Sequence, residues 1–187
     1  MNRRDILKQS TIFAGAALSA GTISAIFTSC QTEALSSIKG SGLSQTQLDL
    51  IAGVAERIIP KTDTPGAIEA KVHEFIDKQI ALNFTDKESS LFAQGLEIFD
   101  KMGDDKFGKS FLDLTDDEQN GVLTDVVADF KNQKEGTPHI WPTLKGLTVT
   151  GFFTSELGAT KALVYDPIPG EWQGCVDLSE VGGLYSI

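Results

Sequence analysis

Few side chains in this sequence are of the types that carry out catalysis or bind metals. The 187 residues include two His and two Cys. His73 and His139 lie far apart along the chain, as do Cys30 and Cys175. Because a protein zinc or iron–sulfur site requires about four such ligands, the sequence indicates neither kind of site. We expect His73 to be a polar residue on a helix and His139 to be a loop or interface residue.

The sequence also lacks the short motifs that position a nucleophile or a nucleotide. It contains no Gly-x-Ser-x-Gly elbow, no phosphate-binding loop and no dinucleotide fingerprint. The polar pairs Asp63–Thr64 and Ser155–Glu156 fit turns and helix ends better than catalysis. The acidic runs at 104–105 and 116–118 lack the alternating oxygen ligands and the Gly bend of a calcium loop. We therefore assign no catalytic, cofactor-binding or metal-binding residue to this chain.

The net charge of the chain disfavours nucleic acid as a partner, and its distribution distinguishes an N-terminal segment from the rest. The formal net charge is -10, whereas binding to nucleic acid requires clustered Lys and Arg. Residues 1–29 nevertheless carry +2, from Arg3, Arg4 and Lys8 against Asp5, which leaves -12 for the rest of the chain. This asymmetry indicates a separate basic leader and argues against nucleic acid as a partner.

The leader has the order of an export signal. Arg3 and Arg4 precede an uncharged stretch at 9–32 that is apolar and rich in Ala, Gly and Ser. This order resembles a twin-arginine (Tat) signal, which generally exports folded proteins. We interpret residues 1–29 as a Tat-type signal segment, and as a lipoprotein signal. The alternative is a permanent membrane anchor, since about 20 apolar residues span a bilayer.

Cys30 ends the leader within a sequence that is similar to a bacterial lipobox, Phe27–Gln31. We expect this Cys to be acylated, so that the exported domain is held on a membrane, and we interpret residues 30–42 as a flexible tether. The alternatives are a chance Cys near a simple cleavage site, and an unmodified Cys30 that forms a disulfide with Cys175. If Cys30 is acylated, Cys175 is a free thiol or pairs with a partner subunit.

Helical signals follow the tether. Three capping boxes, Ser44 with Gln47, Thr85 with Glu88 and Thr115 with Glu118, each precede apolar residues at helical spacing. The predicted helices run from Ser44 to the Pro60 break, from about Gly66 to Leu82, from Thr85 through Met102, from Thr115 to about Asn132, and from about Pro142 to Leu157. In the first helix we expect one apolar face, formed by Leu48, Ile51, Ala52, Ala55, Ile58 and Ile59.

The segment at 158–187 has a different character. Pro and Gly interrupt it repeatedly, and it carries the aromatic residues Tyr165, Trp172 and Tyr185. About 30 irregular residues are long for a compact domain, and Trp and Tyr commonly anchor interfaces. We therefore predict an all-α fold: one small domain at 43–187 with about five helices and an irregular, extended C-terminal tail at 158–187 that wraps a partner.

Three blocks of the sequence resemble the gluconate 2-dehydrogenase subunit 3 family. They are Ile58–Ala67 (IIPKTDTPGA), Gly151–Thr160 (GFFTSELGAT) and Tyr165–Cys175 (YDPIPGEWQGC). The third block departs from the family at Trp172, where Tyr is common. The resemblance implies a non-catalytic small subunit of a complex that oxidises CH–OH groups. The resemblance further implies that the large subunit is an FAD enzyme of the glucose-methanol-choline type that acts on a sugar, sugar acid or glycoside, and that a haem c protein accepts the electrons.

The resemblance also implies a role in export. The Tat leader, recognised by the Tat translocase through Arg3 and Arg4, would carry the folded pair to the periplasm or cell envelope, where the Cys30 lipid holds it. The residues that we expect at the partner interface are Asp63, Thr64, Pro65, Gly66, Phe152, Phe153, Ser155, Glu156, Tyr165, Pro167, Pro169 and Trp172. Two other functions are compatible with the residues. One is a free-standing exported lipoprotein that binds a sugar or peptide, and the other is an enzyme active by itself.

Overall fold

The computed structural model describes residues 42–134, 136–166, 168, 170 and 174–186, without the side chains of Leu178 and Ser186. The predictions for Arg3, Arg4 and Cys30 lie outside the described residues. Those for Pro167, Pro169 and Trp172 also lie outside them.

Helices dominate the described part of the chain, which confirms the all-α prediction. The elements are α1 (Gln45–Ile58), α2 (Val72–Asn83), α3 (Asp86–Phe107), a 3₁₀ turn (Phe111–Asp113), α4 (Asp116–Asn132), α5 (Ile140–Phe153), a π-helical turn (Gly158–Ala162), β1 (Val164–Tyr165), α6 (Leu178–Val181) and β2 (Tyr185–Ser186). The two short strands lie in the predicted tail and pair in parallel, with Val164 opposite Tyr185.

The three predicted capping boxes each begin a helix. At α1, Ser44 N–H donates to Gln47 Oε1 at 2.9 Å. At α3, Thr85 N–H donates to Glu88 Oε2 at 2.8 Å, and the same bond forms at the start of α4 between Thr115 and Glu118. These contacts satisfy backbone donors that the helix itself leaves unpaired.

The capping boxes make stability depend on pH. The N–H of Thr85 holds the pKa of Glu88 below its ordinary value of 4.5, and Thr115 does the same for Glu118. Because both pKa values are lower in the folded state, the carboxylates stabilise the fold above pH 4.5, and this contribution is lost as the pH falls through the lowered values.

We expect the double variant Glu88→Gln, Glu118→Gln to lose less unfolding free energy on acidification than the unchanged protein. Urea titrations at a neutral and an acidic pH measure this, with the exposed Glu97→Gln as control, and an unchanged acid dependence would contradict it.

Helix α2 begins at Val72 and not near Gly66, so the predicted start of this helix is wrong. Lys71 has a φ of 55°, in the left-handed region, which a continuous α-helix excludes. The preceding loop is held instead by hydrogen bonds to the Glu56 carboxylate. Thr64 therefore lies in a loop and does not cap a helix.

Helix α5 is also displaced from its prediction. It begins at Ile140, where the Nδ1 atom of His139 accepts the N–H of Trp141 at 3.0 Å. It ends at Phe153 and not at Leu157. His139, expected in a loop or an interface, is the N-cap of this helix.

Helix α1 is central to the packing, since it contacts α2, α3, α4 and α5. Ile51 and Ala55 of its predicted face are buried, together with Leu50 and Val54. The other predicted residues of that face are only partly buried, namely Leu48, Ala52, Ile58 and Ile59. The largest fully buried side chains of the core include Phe99, Phe111, Ile76, Ile80 and Leu144. In the described part of the chain, no helix combines the length and the apolar character needed to cross a bilayer.

Candidate partner-binding site

Two of the three sequence blocks meet on one face of the molecule. The loop after α1 and the turn after α5 line a shared depression of about 380 Å³. We call it the loop–turn face, and its lining residues are Lys61, Thr62, Asp63, Thr64, Pro65, Glu69, Leu157 and Lys161. Helix α2 follows the loop directly and packs against α5. Both blocks are recognisable in the sequence, but nothing in their residues indicates that they are neighbours in the fold.

Glu56 fixes the shape of the loop. Its Oε1 atom accepts the N–H of Lys61 at 3.0 Å, and its Oε2 atom accepts the N–H of Ile68 at 2.8 Å. Gly66 lies against this carboxylate so closely that a Cβ atom there would overlap Oε1. One side chain of α1 thus bridges both ends of the loop, and hydrogen bonds to a charged acceptor are the stronger kind. Sequence reasoning missed Glu56, since it lies outside the block that resembles the family.

The predicted loop residues differ in exposure. Asp63 is exposed, Thr64 and Pro65 are half-buried, and Gly66 is buried. The Asp63 side chain is therefore accessible to a partner, whereas Gly66 serves the close approach of the loop to Glu56.

The turn after α5 has a similar division between inner and outer residues. The Ser155 hydroxyl donates to the carbonyl of Phe152 at 2.6 Å and accepts the N–H of Gly158 at 3.0 Å. Phe152 is 2% exposed, so its predicted role as an interface residue does not fit its burial. Phe153 is 40% exposed, and Glu156 is also exposed. Phe152 and Ser155 shape the turn, while Phe153 and Glu156 face outward.

Gly158 is required by this turn. A Cβ atom at this position would overlap the carbonyl oxygen of Phe152, which belongs to the backbone and cannot rotate away.

We expect Gly158→Ala to lower the unfolding free energy by about 1–3 kcal/mol, the usual cost of overpacking. Gly146→Ala is the matched control, because no atom approaches a Cβ there and Ala favours a helix interior by up to about 1 kcal/mol. Urea unfolding compares the two, and a Gly158→Ala variant as stable as Gly146→Ala would contradict the role assigned to Gly158.

The tail continues from this turn. Gly158–Ala162 packs on α5 and contacts β1, so the predicted irregular tail begins with a regular π-helical turn. Tyr165 on β1 is 51% exposed and Tyr185 on β2 is 56% exposed. Cys175 is exposed and forms no disulfide with another described residue. The described tail thus presents two tyrosines next to the turn that carries Lys161.

The two histidines stand apart from this face. His73 is half-buried on α2, and its Nδ1 atom has no hydrogen-bond partner among the described residues. The His139 side chain is 3% exposed, with Nε2 lying 3.4 Å from Asp129 Oδ2. Within the described ranges, no three His, Cys, Asp or Glu side chains are grouped as metal ligands.

Comparison with known proteins agrees with the resemblance read from the three blocks. The family model of gluconate 2-dehydrogenase subunit 3 matches residues 45–170, which include the loop after α1, the turn after α5 and the start of the third block. Neither the curated proteins nor the solved structures contain a match to this chain. Because the family model covers more than half of its 187 residues, the chain belongs to the gluconate 2-dehydrogenase subunit 3 family and is an accessory subunit of a dehydrogenase complex.

Proposed function

We propose that this chain is a non-catalytic subunit that docks on an FAD-dependent dehydrogenase of the glucose-methanol-choline type through the loop–turn face and the tail. The observation that carries the proposal is the meeting of the two blocks at one depression, since the same blocks gave the family resemblance. In this proposal the FAD belongs to the large subunit, and the haem c belongs to a separate cytochrome that accepts the electrons.

The construction of the face supports a role in binding. Its backbone is fixed from inside by Glu56, Ser155 and Gly158. A rigid loop loses little conformational entropy when a partner docks. The exposed side chains of the loop, the turn and the tail include charged and aromatic groups, namely Asp63, Glu156, Phe153 and Tyr165. Aromatic anchors within a polar rim are typical of protein interfaces.

The same proposal extends to export. The Tat-like order around Arg3 and Arg4 supports passage of a folded pair through the Tat translocase, with the flavin subunit carried by the leader of this chain. Acylation of Cys30 would then hold the complex on a membrane of the periplasm or cell envelope. Labelling with a palmitate analogue tests the anchor, because Cys30→Ala should abolish the label and release the complex.

Removing the Glu56 carboxylate tests the loop–turn face directly. We expect Glu56→Ala to weaken the affinity for the flavin subunit about tenfold, since the loop would have to be ordered on binding. Biolayer interferometry with the co-purified flavin subunit measures this affinity. Glu97→Ala, an exposed helical residue on α3, is the matched control and should bind normally. If Glu56→Ala binds as tightly as the control while remaining folded by circular dichroism, the loop does not form the interface.

A further inference from the structure

A second depression lies between α1, α4 and α5 and shares no lining residue with the loop–turn face. Its volume is about 440 Å³, which accommodates a small organic molecule. The ionisable side chains that line it are Arg57 and Lys145. The chain has a net charge of -10, yet this depression is lined by two cations and by no carboxylate. Its lining is therefore positively charged.

Neither cation is fully neutralised within the described part of the chain. Arg57 Nη1 pairs with Asp116 Oδ2 at 2.8 Å, but the Nε atom of Arg57 is buried and has no hydrogen-bond acceptor there. Lys145 is exposed and has no ion pair among the described residues. A buried N–H without an acceptor is unfavourable, and a carboxylate is the acceptor that a guanidinium binds best. The local chemistry therefore suits an anion.

The remaining walls are largely apolar. Trp141 lies one helical turn from Lys145 on α5, so the indole and the ammonium group occupy the same side of that helix. Ile58, Leu123 and Val127 complete the apolar lining. Of the polar lining groups, the Thr124 hydroxyl already donates to the carbonyl of Asn120. A ligand in this depression would thus meet both cationic groups and an aromatic, aliphatic surface.

We propose that this depression binds a small organic anion that joins one carboxylate to an apolar or aromatic body. The carboxylate contacts Arg57 and Lys145, and the apolar body packs against Trp141 and Leu123. A polyhydroxylated acid has the charge but would leave the apolar wall uncovered. A neutral aromatic alcohol has the body but would leave Lys145 and the Nε atom of Arg57 without an anionic partner. Both parts of the ligand are needed for binding.

Titration of the full-length chain with phenylbutyrate tests this site. Trp141 fluorescence reports binding in a Trp172→Phe background, in which Trp141 is the remaining Trp. We expect saturable binding of phenylbutyrate and affinities at least about tenfold weaker for phenylbutanol and gluconate, since about 1.4 kcal/mol corresponds to a factor of ten. Lys145→Glu should weaken phenylbutyrate binding by at least the same factor, whereas Lys101→Glu, an exposed helical charge reversal on α3, should leave it unchanged.

Three results would overturn the proposal. One is the absence of saturable binding. Another is equal affinity for phenylbutyrate and phenylbutanol, which would indicate an apolar patch without an anion site. The last is an equal loss of affinity in Lys145→Glu and Lys101→Glu, which would indicate attraction by overall charge. None of these measurements depends on the flavin subunit, so they test this site separately from the proposed function.

Discussion

Replacing Arg3 and Arg4 together by Lys is expected to lower the export of this chain at least about tenfold, and to lower the export of the proposed flavin subunit equally. The substitution retains the positive charge of the leader. It removes the two guanidinium groups, whose planar donors an ammonium group does not reproduce. Loss of export would therefore identify recognition of the Arg pair and not of basic charge.

Quantitative mass spectrometry of the cytoplasmic and exported fractions measures both proteins in the same cells. Lys8→Arg is the matched control, because it changes a basic residue of the leader and leaves the Arg pair intact. Continued export of the flavin subunit while this chain remains in the cytoplasm would refute the carrier role. Continued export of both would refute the assignment of the leader to the Tat route.

Deletion of residues 164–187 is expected to weaken the complex about 100-fold while lowering the melting temperature of the isolated chain by less than about 3 °C. The strands β1 and β2 pair with each other, and the main contact of β1 with the body is through the π-helical turn, so the deletion leaves the helical core intact. It removes three aromatic side chains, Tyr165, Trp172 and Tyr185. Large aromatic residues often carry most of the binding energy of an interface.

The triple variant Tyr165→Ser, Trp172→Ser, Tyr185→Ser retains the length of the tail and isolates the effect of the aromatic residues. We expect it to reproduce most of the loss in affinity, measured by biolayer interferometry beside a thermal melt of the isolated chain. If the deletion unfolds the helical body as strongly as it weakens the complex, the tail belongs to the core and does not serve mainly as a binding segment.

The sequence correctly predicts the helix starts that depend only on neighbouring residues. The capping boxes at Ser44, Thr85 and Thr115 form within three residues of sequence, so the pattern itself specifies them. The start of α2 depends instead on Glu56, which lies twelve residues before Ile68 and accepts its N–H. Helical periodicity does not reflect that contact, and the pattern therefore predicts a helix that begins too early, within the loop.

The candidate site also depends on contacts between residues distant in sequence, which no local pattern predicts. The two blocks were recognisable from their residues, but their meeting depends on how α2 packs on α5, where Gly151 lies close to the ring of Phe75. Phe152 was assigned to the interface because it lies in a recognisable block, although its side chain is buried in the core. Arg57 and Lys145 line the same depression from helices distant in sequence, and nothing local in the sequence indicates that they do so. Tertiary packing determines these features.

Docking on a flavin subunit is tested by co-purification of the tagged full-length chain from its native cell, with identification of the captured proteins and a visible absorption spectrum. We expect one flavoprotein of the glucose-methanol-choline type in an amount equal to the tagged chain, together with the spectrum of oxidised flavin. Elution of the tagged chain without a flavoprotein would contradict it, as would sugar oxidation by the isolated chain with an artificial electron acceptor.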